Sequence, residues 1–198
     1  MTINYEKNGI RLVFATDDKD RLLLLHCSAK PYEPTEKYYA DFQTAEFRPV
    51  EIQISGENHD TGHGRKYVGT SEGKTLRYVS HETVPLDDGE ELLIALENEN
   101  LCVYLHYGFP DIDGVMTSFT EVVNKKSEPV MMEYVSSFCL YGLAKNENND
   151  YDDLVLYRSN NTSYRENQWQ EQTLKDYGLV KGNRYSTATQ KISVSNDG

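Results

Sequence analysis

"ELLIALENENLCVYLHYGF", Glu91 to Phe109, decides the fold. Its two halves, ELLIALEN and LCVYLHYGF, are short apolar or alternating runs rich in residues that favour a pleated surface, and they meet at turn residues. The pattern predicts a β-hairpin across Asn98 to Asn100. Working outward, "IRLVFAT" (Ile10 to Thr16) and "RLLLLHC" (Arg21 to Cys27) flank "DDKD", a polar turn of hairpin length. "KYYADFQT", "VEIQIS" and "LRYVSHETV" read as further strands. In VEIQIS the period of two places Val50, Ile52 and Ile54 on one face and Glu51, Gln53 and Ser55 on the other, the solvent side of a half-buried strand. "VMTSFTEVVN" and "VMMEYVSSFCLYGLA" are expected to pair around "KKSEP", and "LVLYRS" and "KISVS" complete the set.

One segment, "ENQWQEQTLKDYGL", reads as a short helix ended by Gly178. No sustained 3.6-residue stripe, internal repeat or low-complexity tail is present. About ten strands must therefore pack against one another, and two stacked antiparallel sheets satisfy that need. The expectation is an all-β chain, a large antiparallel β-sandwich with at most one or two short helices. "KNENNDYDD" (Lys145 to Asp153) reads as a solvated loop inside it, so residues 1–198 are taken as one domain.

The 198 residues suffice for one sizeable core. A net charge of -12 and a pI near 4.8 argue against a nucleic-acid partner, which needs Lys and Arg to neutralise phosphates, and against an anionic membrane surface. Cys27, Cys102 and Cys139 are odd in number and sit among apolar neighbours, as reduced thiols do in a reducing compartment. No signal-peptide pattern opens the chain and no apolar run approaches the ~18 residues that span a bilayer. A soluble, cytoplasmic chain is expected.

The Gly- and His-rich stretch from Gly56 to Gly73 is where chemistry is sought. His59 and His63 have the spacing of two metal ligands on a helix, but Gly56, Gly62 and Gly64 interrupt any regular helix and no Cys is near, so neither a metal nor a cofactor is expected. Glu57 and Asp60 could act as an acid/base pair, although solvated loop carboxylates are commoner. The glycines favour a loop that docks on a surface or lines a pocket. The run "GHGRKYVGTSEGK" lacks the order of a phosphate loop, and no nucleophile constellation stands out. Trp169, with its amide and charged neighbours, suits either a sugar-stacking surface or a cap on the sandwich core.

"FRPVEIQISGENHDTGHGRKYVGTSEGKTLRYVSHE", "SFTEVVN", "EYVSSFCLYGL" and "ENQWQEQTL", in that order along nearly the whole chain, resemble the amino-terminal region of bacterial family 36 glycoside hydrolases, the α-galactosidases. The resemblance implies a β-supersandwich preceding a catalytic (β/α)8 barrel, expected after residue 198. Such enzymes release terminal α-galactose from melibiose- and raffinose-type sugars with retention, using two carboxyls about 5 Å apart. In the family both are barrel aspartates, one in a Lys-Trp-Asp motif that this chain lacks, so no catalytic residue is expected here and the chain alone should be inactive. The implied partners are the barrel of the same chain, sister subunits of a homo-oligomer, tetrameric in family terms, and a galactoside held by the assembled enzyme. By the same analogy Glu57, Asn58, His59, Asp60, His63, Arg65 and Lys66 form a substrate-mouth or interface loop, and Glu166, Gln168 and Trp169 a sugar-stacking or barrel-facing group. The chain departs from the family where Ser163-Tyr164-Arg165-Glu166 stands for a Trp-Gln-Gly-Glu-like run and Gly62-His63 for paired histidines. The readings that compete with this one are a stand-alone carbohydrate-binding sandwich and a purely structural one.

Overall fold

The computed structural model describes residues 1–33, 47–57, 69–140, 154–162, 164–173 and 176. They belong to two compact units, Met1–Gly142 and Leu143–Gly198.

Among the described residues, the first unit contains three antiparallel sheets. β1 (Thr2–Lys7), β2 (Ile10–Thr16) and β3 (Leu22–Ser28) form one in that order. β1 and β2 are joined at Asn8-Gly9, both at positive φ, the backbone that a two-residue hairpin turn demands. The Asp17 carboxylate closes the β2–β3 turn by accepting from the backbone of Lys19 and Arg21 and from the Arg21 guanidinium. β4 (Ile52–Ile54) is followed by α1 (Ser71–Thr75) and then by the longest sheet, β5 (Arg77–Leu86), β6 (Gly89–Glu97), β7 (Leu101–Pro110) and β8 (Thr117–Asn124). β9 (Met132–Val135) pairs with β4.

The hairpin read from Glu91 to Phe109 is formed as expected. Asn98 Oδ1 accepts from the backbone of Asn100 and Leu101 at 2.9 and 2.7 Å, a side-chain turn that fixes the register of β6 on β7. Leu92, Ile94 and Leu96 on β6 and Leu101, Val103, Leu105, Tyr107 and Phe109 on β7 are buried on one face. They meet Ile3, Leu12, Phe14, Leu22 and Leu24 of the three-stranded sheet, with Val50, Ile52 and Ile54, in a single core. That packing of one sheet on another is the expected sandwich, each large apolar side chain contributing ~1.5–3 kcal/mol by leaving water. The other face of the three-stranded sheet is also covered: Val13, Leu23 and Leu25 pack with Phe47, which explains the unbroken Leu22–Leu25 run.

Three expectations are corrected. β8 pairs with β7, and β9 with β4, so the two strands around KKSEP do not pair with each other; the Ser118 and Thr120 hydroxyls instead donate to the carbonyls of Ser137 and Ser136. Glu51 and Gln53 are buried, because both faces of β4 are covered. The segment read as a helix is strand over Glu166–Thr173: β11 (Arg165–Thr173) pairs in register with β10 (Val155–Thr162), and this hairpin is the described part of the second unit. Polar, Gln-rich residues without an apolar stripe leave the choice of helix or strand to the neighbouring strand. KYYADFQT, KISVS, Gly178 and the Lys145–Asp153 stretch lie outside the described residues.

Candidate functional site

In the first unit the chain on either side of residues 58–68 is held by two polar side chains, Gln53 of β4 and Glu51 just before it. Gln53 Nε2 donates to the Ile54 and Glu57 carbonyls at 2.9 and 3.1 Å, which secures the outgoing stem. The carboxylate of Glu51 secures the returning stem. Its Oε1 accepts from Gly69 N at 3.1 Å, and its Oε2 accepts from Thr70 N at 3.1 Å and from the Thr70 hydroxyl at 2.6 Å. Glu51 and Thr70 are both fully buried, and a carboxylate there is tolerable only when paired and hydrogen-bonded. Arg48, also buried, supplies the countercharge: Nη1 lies 3.6 Å from Glu51 Oε2 and donates to the Thr70 carbonyl at 3.1 Å.

Thr70 is used to capacity. Its hydroxyl donates to Glu51 and accepts from Ile52 N and from Gly73 N, the latter bond capping α1. Gly73 has no room for a side chain: a Cβ would stand 2.7 Å from Thr70 Oγ1 and 2.9 Å from Glu51 Oε2. Ser136, just after β9, closes the other side, its Oγ accepting from Glu51 N and its N donating to the Glu51 carbonyl.

At the outgoing stem Glu57 meets Glu72 of α1. Burial raises the Glu57 pKa first, and a hydrogen bond to Glu72 and the charge of that carboxylate raise it further, with Lys126 pulling the other way. Glu72 is buried and accepts from Asn98 Nδ2 at 2.5 Å and from Asn100 Nδ2 at 2.8 Å. Of the expected mouth residues, Glu57 is thus placed at the stem; Asn58, His59, Asp60, His63, Arg65 and Lys66 lie outside the described residues. Among the described residues no three His, Cys, Asp or Glu side chains gather to hold a metal, and no helix is long and apolar enough to cross a membrane.

The second unit carries the other expected group. Register places Ser159 opposite Trp169 and Tyr157 opposite Glu171, so Tyr157, Trp169 and Glu171 share one face of the hairpin while Gln168 takes the other with Arg158 and Gln170. Trp169 is 67 % exposed and Tyr157 61 %, so the indole caps no core. Glu166 sits at the turn, where its Oε1 accepts from Tyr164 N at 3.1 Å. The expected trio is therefore split into three locations, and Tyr157 and Glu171 join Trp169 in its place. Sequence reading missed them because their proximity depends on the strand pairing of a segment read as helix.

A scan against family models and searches of curated proteins and of solved structures return no match to this chain.

Proposed function

We propose that this chain is the amino-terminal, non-catalytic domain of a retaining α-galactosidase acting on melibiose- and raffinose-type sugars, and that it contributes to oligomer assembly and to the active-site mouth. The observation that carries the reading is the double anchorage of the chain around residues 58–68: a buried carboxylate and a buried amide, both within the FRPVEIQIS block, fix the two stems. Burying a charge for a surface connection gains nothing for the core, whereas a segment that must meet a partner surface needs fixed stems. The antiparallel all-β architecture and the order of the four sequence blocks support the same reading.

The test is to isolate the natural gene product from its source, with whatever chain follows Gly198, and assay it on melibiose and raffinose while following the anomer by NMR. Release of galactose with the α-anomer appearing first is expected, together with no release by residues 1–198 alone. A natural product that releases no galactose from either sugar sinks the reading. In the active enzyme, His59→Ala, Asp60→Ala and Arg65→Ala should lower activity without dissolving the oligomer; unchanged activity would leave the segment a structural role only. The exposed Trp169 face favours the second reading, a domain that binds carbohydrate by itself.

A further inference from the structure

The geometry of the β10–β11 hairpin points to a binding site for a neutral pyranoside on the face formed by Tyr157, Trp169 and Glu171. This inference stands on the hairpin alone and is independent of the galactosidase reading. Both rings are more than half exposed, and they are diagonal neighbours across one strand pair, a separation aromatic side chains bridge. Each has a polar neighbour. Trp169 Nε1 donates to Asn167 Oδ1 at 2.8 Å, and Asn167 adopts positive φ, a conformation that Asn tolerates better than most residues. Tyr157 stands directly opposite Glu171 in the register, and the negative charge of that carboxylate raises the phenol pKa.

The ligand class follows from how apolar and polar groups alternate on this face. A protein interface concentrates its aromatic residues in a contiguous core and excludes charge from it. Here each ring faces a polar residue across the hairpin, Glu171 for Tyr157 and Ser159 for Trp169. A pyranose has the matching surface: a C–H face to lie on an indole and hydroxyls around its rim to donate to a carboxylate. A flat π surface beside a carboxylate also attracts an organic cation, so an amine ligand is the outcome that would replace this one.

Trp169 is the only tryptophan in the chain and reports directly. The full 198-residue chain is titrated with methyl α- and β-galactosides, methyl glucosides, raffinose and, separately, tetramethylammonium, and the emission is followed. The expected result is a saturable change with at least one pyranoside at about millimolar dissociation constant, and none with the cation. Tyr157→Ala should weaken it ~10-fold by loss of a stacked ring, and Trp169→Ala should abolish saturation transfer from protein to sugar in NMR. These substitutions lie on exposed positions, and circular dichroism checks that the strands persist. No saturable response to any pyranoside overturns the proposal. A response to tetramethylammonium that Glu171→Gln removes, without one to sugars, replaces it with a cation site.

Discussion

The Thr70 hydroxyl donates to Glu51 Oε2 at 2.6 Å across a sequence separation of 19 residues, and neither residue touches solvent. Thr70→Val removes that donor and leaves Ile52 N, Gly73 N and the carboxylate short of a partner. A loss of ~3 kcal/mol is expected, since each orphaned buried group costs ~1–3 kcal/mol. Thr70→Ser keeps the hydroxyl and should lose under ~1 kcal/mol. Urea denaturation followed by circular dichroism separates them; equal midpoints for the two variants would mean that the hydroxyl does not anchor the stem.

Gly73→Ala sets helix propensity against packing. In an exposed helix Ala is favoured over Gly by ~1 kcal/mol. In α1 the added methyl would press on Thr70 Oγ1 and Glu51 Oε2, atoms already fixed by other hydrogen bonds. Overpacking of this kind costs ~1–3 kcal/mol, so net destabilisation is expected. A stabilised Gly73→Ala variant in the same urea assay would show that the clamp yields.

The pH dependence has two opposed contributions. The folded pKa of Glu57 lies above its unfolded value, so its contribution is present below the ordinary carboxylate range and is lost as pH rises through the raised value. Glu57→Gln should therefore be more stable than the parent at pH 8 relative to pH 4. Asp17 behaves oppositely. Desolvation pushes its pKa up, but the hydrogen bonds and charge of Arg21, with the Lys19 backbone, hold it below the usual range, so its stabilisation is lost as pH falls through that depressed value. Asp17→Asn should flatten the acid limb of the stability profile. Denaturation midpoints measured from pH 3 to pH 8 check both signs, and the same profile in both variants and the parent would refute the two assignments together.

Cys139 is buried and donates to Ser136 Oγ at 3.1 Å, Cys27 and Cys102 are half-buried, and none of the three is in a disulfide. Burial raises the Cys27 pKa and so lowers its thiolate fraction. Ellman's reagent should reach Cys102 first in the native protein and Cys139 only on unfolding, as single Cys→Ser variants would reveal. Native labelling of Cys139 as fast as Cys102 would contradict the burial.

The strands of the sandwich were legible because alternation and turn chemistry agree: Leu92, Ile94 and Leu96 repeat at a spacing of two, and Asn98 closes their hairpin with its own side chain. The polarity of β4 misled for a physical reason. Glu51 looks like a solvent-facing position until Thr70 and Arg48 are brought against it, and a pattern within six residues contains no trace of a partner nineteen residues on. The Glu166–Thr173 segment misled because its residues have no strong preference of their own, and β10 decides. Of the expected site, Glu57 and Trp169 fall at positions with an evident arrangement around them, whereas Gln168 is turned to the opposite face of the hairpin from Trp169.

Glu51, just before β4, and Gln53 within it stand about 7 Å apart along the chain, two residues at ~3.3 Å each. Because they grip the two stems, the connection from Glu57 to Gly69 is closed before its own sequence has any say. Lengthening it adds only ~0.6 kcal/mol of closure entropy per doubling. The two stems thus form a fixed socket, and a peptide grafted between Glu57 and Gly69 in the laboratory is expected to leave the sandwich as it is.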